Sequence, residues 1–165
     1  MHKGKIIRFW RKVRSFAFGT EGALLTETLI VVPVITIFAV GILEFGNVFW
    51  QRHQVQVGVR DAARYWSRCR AAAPFNTCSP EIAQNLAFYG EPFLDALSVP
   101  RVPGWTDIAD LEISPAVVDV PSNPTATDIV IVTGTHTYTG SPLMRLIQIE
   151  AFDFSYTHQQ RYIGW

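Results

Sequence analysis

The chain has 165 residues, with 14 Lys or Arg against 14 Asp or Glu and 48% apolar side chains. Its length suits one folded domain plus a stem, and it carries no internal repeat and no low-complexity tract. The charge is uneven: residues 1–22 hold six basic groups and one acid, the remainder eight basic and thirteen acidic, a net of about −5 there. From residue 71 onward only Arg101, Arg145 and Arg161 face ten acids, which excludes nucleic-acid binding by phosphate neutralisation in that part.

Residues 1–22 read as a basic cytoplasmic leader, with Lys3, Lys5, Arg8, Arg11, Lys12 and Arg14. An apolar stretch follows. Its uncharged run, residues 28–43, covers roughly 24 Å as a helix. Taken as residues 23–50, with Glu27 and Glu44 near its ends, it covers a bilayer core of about 30 Å. A removable secretory segment is shorter and ends in a small-x-small cleavage site. The next polar stretch, Gln51-Arg52-His53-Gln54, has no such site. A retained transmembrane helix is therefore expected over 23–50.

Glu27 is the fifth residue after Gly22, and a carboxylate there is costly unless something pairs it. The alternative is a headgroup-boundary position from which its side chain reaches water. Glu44 lies about a turn and a half before Trp50, which places it at the opposite interface; a role in packing or assembly contacts stays open. The flanks carry six Lys or Arg on the N-terminal side against Arg52, Arg60, Arg64, Arg68 and Arg70 on the other. That is a small positive-inside bias. A cytoplasmic N-terminus is expected mainly because a cysteine pair and a strand-rich distal part suit export.

The helix is expected to continue, as an amphipathic segment, over residues 51–73. Pro33 interrupts it and is expected to bend it, a change tolerated within a membrane. At 100° per residue Val59, Ala62, Trp66, Cys69 and Ala73 fall within about 40° of Val55, whereas Arg60, Arg64 and Arg68 gather opposite. One face should pack, chiefly on the chain's own distal domain, and the other stay wet. Pro74 stops the helix, because the residue before a proline avoids helical geometry. Cys69 and Cys78 are nine apart, a spacing that suits a small disulfide loop in an exported domain; two free thiols are the alternative in a reducing compartment.

Ser79-Pro80-Glu81 supplies a cap, a first-turn proline and a first-turn acid, so a short helix is expected over 80–89, ended by Gly90. Residues 92–104 read as loop with one turn around 93–97. Short strands are expected at 111–113 and 117–120. Residues 128–138 form a longer strand whose Ile-Val-Ile-Val centre suggests burial on both faces. Gly140-Ser141-Pro142 signals a turn. From residue 151, Phe152, Phe154 and Tyr156 alternate with Asp153, Ser155 and Thr157. Three to four antiparallel strands packed on the amphipathic helix make the exported domain, residues 74–165, α+β.

The segments Gly22-Ala23-Leu24-Leu25-Thr26-Glu27, the span with Pro33, Gly41 to Gly46 and Val55 to Tyr65 together resemble the TadE-like family. These are minor pilins or pseudopilins of tight-adherence pilus systems, related to type IV pili. The C-terminal part from Thr135 to Leu146 is similar to the family's strand-turn-strand ending. One departure is Thr28, where family members often carry an aromatic or other apolar residue. The resemblance implies a membrane-inserted precursor cut between Gly22 and Ala23 by a prepilin peptidase. Glycine leaves the scissile backbone unobstructed. It further implies that Glu27 meets the Ala23 ammonium of an adjacent subunit, and that the partners are other pilin subunits, inner-membrane assembly machinery and lipid. The implied location is the bacterial inner membrane, with the distal domain periplasmic or extracellular, or the pilus itself.

The four histidines are His2, His53, His136 and His158. The chain has no His-Glu-x-x-His, no phosphate loop and no Gly-x-Ser-x-Gly. His136 and His158 lie on expected strands and could approach each other, but read as sheet filling. Asp107, Asp110 and Glu112 lack the regular oxygen spacing of a calcium loop. Neither catalysis nor a cofactor or metal is expected. The rival reading is an unprocessed single-pass membrane protein whose exported domain binds a ligand or scaffolds a complex.

Overall fold

A computed structural model of the chain describes residues 20–70, 78–116, 128–140, 144 and 151–163. The leader up to residue 19, the end expected for the long helix at 71–74, the strand expected at 117–120 and Ser141-Pro142 lie outside the described residues. The elements, in order, are α1 (Thr20–Arg68), α2 (Pro80–Phe88), a 3-10 turn (Ile108–Asp110), β1 (Leu111–Ser114), β2 (Ile129–Tyr138) and β3 (Phe152–Arg161). The fold class is α+β, as expected. Two compact units divide the chain, Met1–Phe45 and Gly46–Trp165.

In the first unit α1 is apolar on every side. Leu29, Ile30, Val31 and Val32 are consecutive and all exposed; four residues spaced 100° apart point to every side of a helix. Leu24, Leu25, Ile35, Ile37, Phe38, Ile42 and Leu43 are exposed as well. Such a rod needs an apolar surrounding. Pro33 sits inside it, and the helix continues through. Segment 22–68 holds a helix long and apolar enough to cross a membrane.

The second unit has a three-stranded antiparallel sheet in the order β1-β2-β3. Leu111 pairs with Gly134, and Tyr138 pairs with Phe152. Its core joins Val55, Val59, Ala62, Ala63 and Trp66 of α1 to Ala83, Ala87 and Phe88 of α2 and to Val130 and Val132 of β2. Trp105 closes it, meeting the Phe88 ring edge-on at 4.9 Å and 84°. Close approach here requires glycine twice. A Cβ on Gly58 would run into the Ala87 carbonyl oxygen, and one on Gly134 would lie 2.6 Å from Val59 Cγ2. Arg60, Arg64 and Arg68 face outward, as the helical spacing predicts.

Several expectations need correction. The long helix ends at Arg68 rather than at residue 73. Its last carbonyls are taken by the chain's C-terminal residues: Ile163 N donates to Ser67 O at 2.9 Å, and the Tyr162 hydroxyl donates to Cys69 O at 2.9 Å. These bonds satisfy groups that continuing the helix would otherwise satisfy. The described part of the helix already includes Thr20, ahead of the expected residue 23. Strand β2 is not buried on both faces: Val130 and Val132 are buried, Ile129 is exposed and Ile131 half-buried. The helices cover one face alone. The 3-10 turn is an addition to the expected elements; the Asp107 carboxylate caps it by accepting from Ala109 N. Helix α2 ends at Phe88, one residue early, with Gly90 beyond it at φ 82°.

Candidate functional site: the head of the apolar rod and the polar latch of the distal unit

At the head of α1, Gly22 and Ala23 lie within the helix, not in extended chain. The Thr26 hydroxyl donates to the Gly22 carbonyl at 2.9 Å. The Thr28 hydroxyl does the same to Leu24 O at 2.7 Å. Both are four-residue back-bonds that hold a Thr in a helix. Glu27 is exposed. Ala23 and Glu27 are four residues apart on one helix, so they share a face. Glu44 is only 8% exposed and is not without an interaction partner.

Cys69 and Cys78 form a disulfide, with Cα atoms 5.0 Å apart. It joins the end of α1 to the cap of α2. Ser79 accepts from Ile82 N through its hydroxyl, and its own N–H donates to the Tyr65 hydroxyl at 3.1 Å.

A polar latch between α1 and β2 has no counterpart in the sequence reading. His136 Nε2 lies 3.2 Å from Gln51 Oε1. The Gln51 amide donates to Asn47 Oδ1 at 3.4 Å, and the Asn47 amide donates to the Tyr138 hydroxyl at 3.2 Å. Gln51 and His136 are both buried. Burial pushes the His136 imidazole below its usual range, while Asp110 and Asp153 pull it back up. Burial and the neighbouring Asp107 raise the Asp110 carboxyl in turn. The available signal was spacing: Asn47 and Gln51 are one helical turn apart, and 136 and 138 share a strand face.

His136 and His158 do not meet. His136 pairs with Phe154 and His158 with Val132, four positions apart, or roughly 13 Å along the sheet. Asp107, Asp110 and Glu112 do not converge either. Among the described residues no group of three or more His, Cys, Asp or Glu gathers as a metal site. The arrangement offers insertion, packing and a charged helix head.

An apolar rod leading into a small disulfide-bonded α+β unit is the architecture of a candidate single-pass membrane protein. Residues 22–64 match the family model described as TadE-like protein, in agreement with the resemblance read from the stem. Together the match and the candidate membrane helix fit a membrane protein related to the tight-adherence pilus. No curated protein and no solved structure gives a match to the chain.

Proposed function

We propose that the chain is a minor pilin or pseudopilin precursor. It inserts by α1 with its N-terminus in the cytoplasm, is cut after Gly22 by a prepilin peptidase, and takes part in assembling a tight-adherence type pilus. The observation that carries this reading is the head of the rod: Gly22, Ala23 and Glu27 lie on the first described turns of a helix that exposes apolar side chains on every side from Leu29 to Leu43. Within that apolar setting Glu27 needs a cation. Cleavage creates one at Ala23, and a neighbouring copy presents it to Glu27. The attraction is strong at low dielectric, and desolvation offsets much of it, so the pair sets register between stems more than it adds stability. The TadE-like match over residues 22–64 supports the same reading.

The test is the mass of protein extracted from membranes of cells that contain a prepilin peptidase. The mature chain should begin at Ala23, and Gly22→Val should keep it full-length. A wild-type chain that still begins at its original N-terminus would return the protein to the rival reading, an unprocessed membrane anchor.

A further inference from the structure

The loop after α2 has an unusual surface. Phe93, Leu97 and Val99 are 76%, 85% and 75% exposed, yet the backbone that carries them is fixed. Asp95 Oδ1 accepts from Leu97 N at 2.8 Å, Asp95 N donates to the Ser98 hydroxyl at 2.9 Å, and that hydroxyl donates to Glu91 Oε2 at 3.0 Å. The Asn85 amide ties Pro92 O at 3.3 Å, and Arg101 N closes the loop on Phe88 O at 2.7 Å. The result is a preformed apolar knob flanked by two carboxylates, which need not be ordered upon binding.

The same unit carries a groove of opposite character. It has a volume of about 520 Å³ and is lined by Tyr65, Leu86, Gly90, Asp61, Arg64 and Arg68 among others. Its one acid, Asp61, is already paired with Arg101 at 2.6 Å. Arg64 and Arg68 are exposed on its rim and form no salt bridge among the described residues. A largely apolar groove with two uncommitted cations is complementary to an apolar knob with two acids.

We infer that the groove receives the 93–99 loop of a second copy of this chain. A bilayer surface is a poorer occupant for the knob, because Glu91 and Asp95 are repelled by anionic headgroups. The contact is small beside the roughly 800 Å² per partner of a stable interface. It becomes effective when the stems share one membrane and raise the local concentration. It thus rests on the membrane-anchored reading, but not on cleavage. Because knob and socket are different surfaces, the contact can be repeated from copy to copy.

The experiment uses the full chain in phosphatidylcholine vesicles, on material that resists alkaline extraction. A photoreactive benzoylphenylalanine replaces Phe93, and isotopically light and heavy copies are mixed. The expected product joins residue 93 of one copy to a peptide containing Tyr65–Arg68 residues of the other, with mixed isotopes. Arg64→Glu with Arg68→Glu, or Leu97→Lys alone, should each cut its yield roughly tenfold, and mixing the Leu97→Lys knob with the double-reversed socket should restore it. All of these side chains are exposed; an intact Cys69–Cys78 bridge and an unchanged near-ultraviolet spectrum verify the fold. Cross-links to lipid, cross-links within one copy only, or a yield indifferent to both reversals overturn the inference. Failure to resist extraction would instead strike the membrane reading.

Discussion

The Thr26 hydroxyl donates to the carbonyl of Gly22 at 2.9 Å, and that carbonyl belongs to the peptide bond proposed for cleavage. A peptidase that needs extended chain must first open the turn, so this hydrogen bond opposes processing. Thr26→Val keeps the shape and the β-branch while removing the donor. A solvent-exposed bond of this kind is worth about 0.5 kcal/mol, so the variant should be processed about twice as fast. The rate of mass loss with purified peptidase checks it; an unchanged or slower rate contradicts the role given to Thr26.

Glu27 should matter for assembly and not for insertion. Glu27→Gln removes the charge at nearly constant volume. The variant should resist alkaline extraction as the wild type does, yet fail to co-purify with other pilin subunits. Normal co-purification would remove the carboxylate from the mechanism.

Cys69–Cys78 staples the end of α1 to the start of α2. Closing a loop of about ten residues restricts the unfolded chain by roughly 2–3 kcal/mol. Replacing both cysteines by Ser should lower the denaturant midpoint accordingly, followed by near-ultraviolet circular dichroism of the full chain in detergent. Equal midpoints would mean that Tyr162 and Ile163 hold the end of α1 unaided.

The latch at His136 makes the distal unit acid-sensitive. Burial holds the folded imidazole below its ordinary value of 6.5. The unfolded chain therefore takes up the proton first. The stability is fully present above pH 6.5 and is lost as the pH falls through the folded value. Asp110 works the other way: its raised carboxyl favours the folded chain as the pH drops towards 3.8. The melting temperature should thus fall on acidification from pH 7.5 through the His136 range, about 6.5 and below, and His136→Gln should flatten that slope. A wild-type slope retained in the variant would assign the sensitivity elsewhere.

Two helix glycines should respond with opposite signs to alanine. A Cβ on Gly46 would have nothing within 4 Å, whereas one on Gly58 meets the Ala87 carbonyl and the Trp105 ring. Gly46→Ala should gain up to about 1 kcal/mol from helix propensity. Gly58→Ala should lose about 1–3 kcal/mol, because helix backbones must separate. Chemical denaturation of both variants reads the difference, and equal signs would deny the close packing of α1 on α2.

Much of the stem is legible because its signals are local. Apolar residues at every angle, the run of arginines at helical spacing, Ser79-Pro80-Glu81 and the alternation from Phe152 each depend on neighbours in sequence. The latch is not legible, since Gln51 and His136 are 85 positions apart and neither forms a motif alone. The one-sided burial at Ile129 and Ile131 is hidden for the same reason: a β-branched run fits either one covered face or two.

By itself the sequence determined a rod that water cannot solvate, a charged head upon it and an α+β distal part, because composition and period act within a turn or a strand. Only the tertiary structure decided where α1 stops, why Gly58 and Gly134 carry no side chain, that Glu44 is buried and that His136 is locked to Gln51. Those outcomes depend on which remote atoms compete for the same carbonyls and the same volume, and that competition exists only once the chain has folded back on itself.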